Sequence, residues 1–376
     1  MLAVNKFIHP VVMQLLSALP QMSLVFFLVT YSAYSSAETQ SATASDVTDN
    51  GYVSQIVPFI TLRNKTGSEN PSDYFGGERS IVSAGYCELS SKSLSSLKPI
   101  TEKVPFYIPE DIVKLRAISE SGIDAFWKEM YHSSNGQNFT LYTHGFNIDF
   151  EKGCKRSSLF KRSVDLKGRF LFFSWPSDGA LINYTHDEAD LYWSVEPLRQ
   201  TLSDMLDNFG TGEINVVAHS LGTRGVVLAL VMLAQAEHGD KPVLNQVVLI
   251  APDIDAGVFK QYLPMIKPLV KNITIYVSEN DNPLALSRQV HGYPRLGEPG
   301  EHLDGITDVE IIDISGIAMR SPTGHIYHIY QNDVVNDLDQ LLNDGKPASQ
   351  RDNLKQTGEN YWLLQPLLND KDTAEN

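Results

Sequence analysis

The chain has 376 residues, with 30 Lys and Arg against 45 Asp and Glu, for a formal net charge of −15. Hydrophobic residues make up 42% and charged residues 20%, the composition of a globular chain and not of a disordered one. The acidic balance argues against a nucleic-acid partner, which needs a Lys/Arg surplus to neutralise phosphate, and two cysteines, Cys87 and Cys154, exclude a disulfide-dense scaffold.

Between Lys6 and Glu38 there is no Asp, Glu, Lys or Arg. The apolar stretch is densest from Met22 to Tyr34 and ends in Ser35-Ser36-Ala37. A basic start, a short apolar core and a small-residue cleavage site predict a signal peptide over 1–37 and an exported protein, periplasmic or extracellular. The alternative is a retained membrane anchor over 11–34, although Pro20 interrupts that run. Residues 38–50 lack apolar periodicity and read as a disordered linker. Export permits a Cys87–Cys154 bridge, and two free thiols fit the same sequence.

In the less regular segment 51–133, Val57–Leu62 and Ser80–Leu89 read as strands added to the edge of a main sheet. From residue 139 apolar, β-branched runs recur at Phe139–Thr143, Phe170–Phe173, Ile214–Ala218, Val247–Ala251, Ile273–Val277 and Val309–Ile314. Runs of this kind suit a parallel sheet buried on both faces. A helix follows Ser194, with Leu198, Leu202, Met205, Leu206 and Phe209 at helical spacing and Gly210 and Gly212 as its stop. Gly225–Ala236 is apolar nearly all round, as a helix wedged against a sheet would be, and Leu338, Leu341 and Leu342 mark a short last helix. The alternation predicts an α/β fold over 51–345, a doubly wound, mostly parallel sheet with helices on both faces. Residues 346–376 read as a polar C-terminal tail in which Tyr361-Trp362-Leu363-Leu364 offers a docking segment.

Three features fall at the carboxyl ends of those strands, where such sheets place function. Ala218-His219-Ser220-Leu221-Gly222 joins a strand to the apolar helix, so Ser220 sits on a strand-to-helix turn with small residues two before and two after it. The usual Gly-x-Ser-x-Gly pattern has Ala218 at its first position here. Read blandly, Ser220 is a helix cap; read chemically, it is a nucleophile. The second feature, His144-Gly145-Phe146-Asn147, ends the strand Phe139–Thr143. A His-Gly turn at this place presents a backbone N–H to a carbonyl oxygen, with Phe146 as one oxyanion donor and Leu221 as the other.

A serine hydroxyl also needs a base to take its proton. His325, in Gly324-His325-Ile326-Tyr327 after the last strand, has the expected position, with His328, His302 and His291 as competitors. Asp281 is the first choice of orienting acid, and Asp253 or Asp255 in Ala251-Pro252-Asp253-Ile254-Asp255 is the alternative. No His-Glu-x-x-His, paired Cys or Gly-rich phosphate loop occurs, so neither metal nor cofactor is expected.

These residues together resemble the α/β-hydrolase superfamily, in particular a bacterial branch of unknown function. The resemblance is carried by Tyr74-Phe75-Gly76-Gly77-Glu78-Arg79, His144-Gly145-Phe146-Asn147, Phe173-Ser174-Trp175-Pro176-Ser177 and Ala218-His219-Ser220-Leu221-Gly222. It continues in Ala251–Asp255, Ser278-Glu279-Asn280-Asp281, Leu286-Ser287-Arg288 with His291-Gly292, and Gly324-His325, spanning about residues 56 to 343. It implies an eight-strand-like sheet with Ser220 as nucleophile and His325 as base; Ile326 departs from the Ser that often follows that His.

The expectation is a serine hydrolase of esterase or lipase type acting on a small-molecule or lipid carboxylic ester, with His144, Gly145, His219, Gly222 and Trp175 supporting the site. A non-catalytic envelope-binding protein and an acyltransferase using the same triad are the alternatives. The segment 178–193 and the loop 292–305 read equally as substrate-lining lids and as plain surface loops.

Overall fold

A strand whose side chains are apolar on both faces is stable only where helices cover both faces, and the chain solves this with one large sheet. The computed structural model describes residues 47–48, 52–92, 109–133, 138–179, 183–236, 241–319 and 323–367. The expected signal peptide or anchor over 1–37 lies outside the described residues.

Among the described residues twelve strands share the sheet: β1 (Val47–Thr48), β2 (Tyr52–Lys65), β3 (Phe75–Lys92), β4 (Val113–Ser121), β5 (Phe139–Thr143), β6 (Arg169–Ser174), β7 (Ile214–His219), β8 (Leu244–Ile250), β9 (Val270–Val277), β10 (Glu310–Asp313), β11 (Leu354–Gln356) and β12 (Tyr361–Leu364). Their order is β11-β12-β10-β9-β8-β7-β5-β6-β2-β3-β4, with β1 paired to β2. The helices are α1 (Ile123–His132), α2 (Phe150–Ser163), α3 (Tyr184–Trp193), α4 (Val195–Phe209), α5 (Gly222–Gln235), α6 (Ala256–Ile266), α7 (Asn282–His291), α8 (Tyr327–Tyr330) and α9 (Asn332–Leu342). None of the described helices is long and apolar enough to cross a membrane.

Strands β5 to β10 pair in parallel. Alternate residues feed two separate cores: Leu141, Val216, Leu249 and Ile275 join α4, α5 and α6 on one face. Tyr142, Val217, Val248 and Tyr276 join α2 and α9 on the other. The sheet is therefore doubly wound, as the hydrophobic runs predict. The strand order reverses at β5, which has β6 on one side and β7 on the other, so the topological switch point, where sheets of this kind bind ligands, falls at the carboxyl ends of β5 and β7.

The N-terminal strands join the same sheet, β2 parallel to β6 and β3 and β4 antiparallel beyond it. They run longer than the apolar segments predict, because the added ends are largely polar, as in Arg63-Asn64-Lys65 and Gly77-Glu78-Arg79, and make no apolar run. Val47–Thr48, expected within a disordered linker, pair antiparallel with Tyr52–Val53. Cys87 of β3 and Cys154 of α2 form a disulfide, with Cα atoms 6.3 Å apart.

The C-terminal segment corrects the expectation of a polar tail. β12 pairs parallel with β10 and β11 pairs antiparallel with β12, so Tyr361–Leu364 dock as a strand. Arg351 explains the docking: its guanidinium is 2.8 Å from buried Asp337 and 2.7 Å from Glu310. Asp337 is fully buried, so its charge needs this cation beside the Tyr276 hydroxyl that also donates to it.

Candidate active site

Ser220 leaves the end of β7 two residues before α5 begins. To turn that sharply it takes φ 52°, a left-handed value that residues other than glycine seldom adopt. Hydrogen bonds hold it there: its N–H donates to the Ile250 carbonyl at 2.9 Å, and its own carbonyl accepts from Thr223 Oγ1 at 2.6 Å and from the Asp253 N–H at 3.3 Å. Leu221 is the N-cap residue of α5, next to a helix turn whose first N–H groups have no acceptor within the helix.

Close packing accounts for the glycines around the turn. A Cβ on Gly145 would lie 2.8 Å from the Ser220 Cβ, and one on Gly222 would collide with the His144 carbonyl. The loop after β5 is thus pressed onto the serine turn, with Phe146 one residue beyond the contact. His144 itself is locked. Its Nδ1 lies 2.8 Å from the Gly145 carbonyl and its Nε2 3.2 Å from the Trp175 carbonyl, Trp175 Nε1 donates back to the His144 carbonyl at 2.9 Å, and the rings stack 4.8 Å apart. Burial, helped by the charge of Arg63, holds the His144 imidazole well below its ordinary range. After Phe146, Asn147 takes φ 60° and gives its N–H to Asp187 Oδ2 at 3.2 Å.

In the loop after β9, Asp281 caps α7 by accepting from the Leu284 N–H at 3.1 Å. Its carboxylate also faces His325, whose Nδ1 is 2.7 Å from Oδ2 and 2.9 Å from Oδ1. The acid side chain is fully covered and the imidazole is 13% exposed. The two loops are clamped together by the Asn282 N–H, which donates to the Thr323 carbonyl at 3.2 Å. They are clamped again by Gly324, whose φ of 66° and approach to the Asn280 carbonyl leave no room for a side chain. His219 ties this pair to the serine turn. Its Nε2 donates to the His325 carbonyl at 3.1 Å, and its ring lies 4.6 Å from the His325 ring.

The competing histidines have other surroundings. His328 lies behind His219, 4.4 Å ring to ring, with Nε2 3.3 Å from the Tyr142 hydroxyl. Burial first, and the neighbouring imidazoles second, hold His219 well below its ordinary range; burial and the charge of Arg156 do the same for His328. His302 Nε2 is 2.8 Å from the Glu298 carbonyl, and His291 sits against Arg224 and Glu188.

Of the three candidate acids, only Asp281 is paired with His325. Asp253 Oδ1 is 2.9 Å from Arg295 Nε and 3.3 Å from Arg224 Nη2, and accepts from Ser287 Oγ at 2.6 Å; Oδ2 accepts from the Tyr184 hydroxyl at 2.7 Å. Burial pushes the Asp253 carboxyl up, but the two guanidinium groups outweigh it and leave the group below the usual carboxylate range. Asp255 caps α6 through the Val258 N–H at 2.9 Å.

Sequence reasoning passed over Tyr184, Asp187, Arg224 and Arg295. The signal that was present is Leu286-Ser287-Arg288 with His291-Gly292, since Ser287 and His291 both touch this cluster. The segment 178–193 is not a plain loop: it contains α3, with Asp187, Asp190 and Leu191 buried. The loop 292–305 likewise buries Arg295 and Leu296. Asp178, His186 and Asp187 bring possible metal-ligand atoms within 4.8 Å of one another. Asp187 already accepts from Ser177 Oγ, the Asn147 N–H and the Asp178 N–H.

Residues 123–344 match the model of the family described as alpha/beta hydrolase of unknown function, DUF900. The match begins later than the motif resemblance, which starts near residue 56. Among solved structures, an esterase from Pyrobaculum calidifontis is similar at 11% identity and a TM-score of 0.32, over 57% of this chain and 79% of that one. A predicted CIB-like hydrolase from Thermoplasma acidophilum is similar at 13% identity and a TM-score of 0.35, over 60% of this chain and 91% of that one. The carboxylesterase CesB from Bacillus subtilis is similar at 12% identity and a TM-score of 0.30, over 57% and 86%. No curated protein matches the chain.

Proposed function

The chain belongs to the DUF900 family of α/β-hydrolases of unknown function, and we propose that it is a serine hydrolase cleaving a carboxylic ester through an acyl-enzyme. The observation that carries this reading is the pairing of His325 with Asp281 while His219 fixes the His325 main chain to the serine turn. An imidazole held at Nδ1 by a carboxylate keeps Nε2 for the proton of an attacking hydroxyl. In this reading Ser220 Oγ attacks the ester carbonyl, and His325 takes its proton and returns it to the leaving alcohol. Asp281 orients the ring and stabilises its charged form. The amides of Phe146 and Leu221 receive the oxyanion, each donor contributing about 3 kcal/mol to the transition state. Water then releases the acid by the same steps in reverse.

We place the protein outside the cytoplasm. The Cys87–Cys154 bridge supports that location, because such bridges persist in oxidising compartments. The substrate is read as a small-molecule or lipid ester.

Labelling with a fluorophosphonate probe tests the proposal. The wild type should label stoichiometrically, and Ser220→Ala and His325→Ala should not. Hydrolysis of p-nitrophenyl esters of graded chain length should then fall at least about 1,000-fold in both variants. A wild type that labels no better than Ser220→Ala would defeat the reading.

A further inference from the structure

Asp253, one of the carboxylates weighed as the acid, leads to a second role near Ser220. Its N–H reaches the Ser220 carbonyl at 3.3 Å, and its side chain holds the Tyr184 hydroxyl at 2.7 Å. Arg224, four residues after the serine, grips the same group. Its Nε donates to the Asp253 carbonyl, and its Nη2 is 3.3 Å from Asp253 Oδ1 and 2.9 Å from the Tyr184 hydroxyl. Burial first, and the charge of Asp253 second, raise the Tyr184 pKa, so the hydroxyl stays protonated and donates. The Tyr184 ring meets the Phe146 ring edge-on, centroids 5.0 Å apart at 67°. Three residues further along α3, buried Asp187 takes the Asn147 N–H.

We propose that Tyr184 is a positioning residue: anchored by its hydroxyl to Asp253 and packed by its ring on Phe146, it sets the Phe146 amide against Ser220. This rests on the serine-hydrolase reading above. The contacts close a ring that runs from Ser220 to Asp253, to Tyr184, to Phe146, and through Gly145 back to Ser220. Phe146 needs such a support, because it sits in a loop between a glycine and a left-handed asparagine and is only half-buried. Oxyanion donors act only within a few tenths of an ångström of their best distance, and a misplacement of about 1 Å costs about 100-fold in rate.

The test is the kinetics of fluorophosphonate labelling of the full chain, since the probe's P=O oxygen takes the oxyanion position. Final stoichiometry counts folded sites, so the maximal labelling rate kinact and the half-saturating concentration KI report on geometry alone. Tyr184→Ala should lower kinact about 10–100-fold, with KI within about twofold of the wild type. Tyr184→Phe keeps the ring but releases it from Asp253, and should lower kinact about 3–10-fold. It also serves where Tyr184→Ala fails to fold. Wild-type kinact in a folded variant would overturn the proposal, as would a change confined to KI, which would make Tyr184 a substrate contact. A wild type that does not label removes the hydrolase reading and this proposal together; a labelled wild type with indifferent Tyr184 variants removes this proposal alone.

Discussion

Both carboxylate oxygens of Asp281 face a single nitrogen of His325, at 2.7 and 2.9 Å from Nδ1, although 44 residues separate the two. The acid is covered by protein and the imidazole still reaches solvent, so one end of the ring is fixed and the other is free to work.

Asp281→Asn retains the shape of the acid and removes the charge that orients the ring. Ester hydrolysis by the folded variant should fall about 10,000-fold in kcat. Asp253 will not substitute, because Arg224 and Arg295 already hold it. A residual rate within tenfold of the wild type would move the acid role away from Asp281.

His144, His219 and His328 are buried and held well below the ordinary imidazole range, burial being the largest cause for each. Their folded pKa values therefore lie below the unfolded value of about 6.5. As the pH drops through that value the unfolded chain takes up protons first, so stability from these groups is complete above about 6.5 and is lost on acidification. Each contributes up to roughly 1 kcal/mol per pH unit over that window. Urea unfolding between pH 7 and pH 5 should show the decline, and His328→Gln should flatten it. An unchanged slope in that variant would mean that His328 takes no part.

Replacing Cys87 and Cys154 by Ser opens a loop of 67 residues in the unfolded chain. The chain-entropy relation puts the loss of stability at about 4 kcal/mol. Denaturant titration of the double variant, beside the wild type with and without reductant, checks this value. A change below about 1 kcal/mol would mean that the bridge does not constrain the unfolded chain.

Arg351→Ala leaves Asp337 buried with its charge unpaired, and should cost about 3–5 kcal/mol in urea unfolding. Replacing the pair together, Arg351→Met with Asp337→Leu, should recover only part of that loss, because Glu310 then loses its cation and the buried Tyr276 hydroxyl loses the carboxylate it donates to. If the paired replacement is no better than the single one, the pair is more than self-compensating.

The central sheet was legible because strands buried on both faces must be apolar throughout, as in Ile214-Asn215-Val216-Val217 and Ile273-Thr274-Ile275-Tyr276. β4 was missed although its alternation is present: Val113 and Leu115 are buried while Lys114 and Arg116 face outward. A strand with one open face shows itself by that period of two and not by an apolar run. β12 is short, and what fixes it is a pairing with β10, 50 residues earlier in the chain at the register Ile311↔Tyr361. Ser220, Asp281 and His325 could be singled out because each follows a readable strand. Asp281 was preferred to Asp253 on position alone; the guanidinium partners of Asp253, Arg224 and Arg295, were not legible, because they reach it only in the folded chain.

The family match covers 123–344, which holds β5 to β10 and stops short of the strands on either side. A fragment cut to those limits would lose β2 and β12, baring the hydrogen-bonding edges of β6 and β10 along Phe172-Phe173 and Ile311-Ile312. Bare edges of that composition invite chains to pair with one another. The portion matched by the family is thus smaller than the portion whose sheet edges are covered, and a fragment that keeps both pairings runs from before β2 to beyond β12.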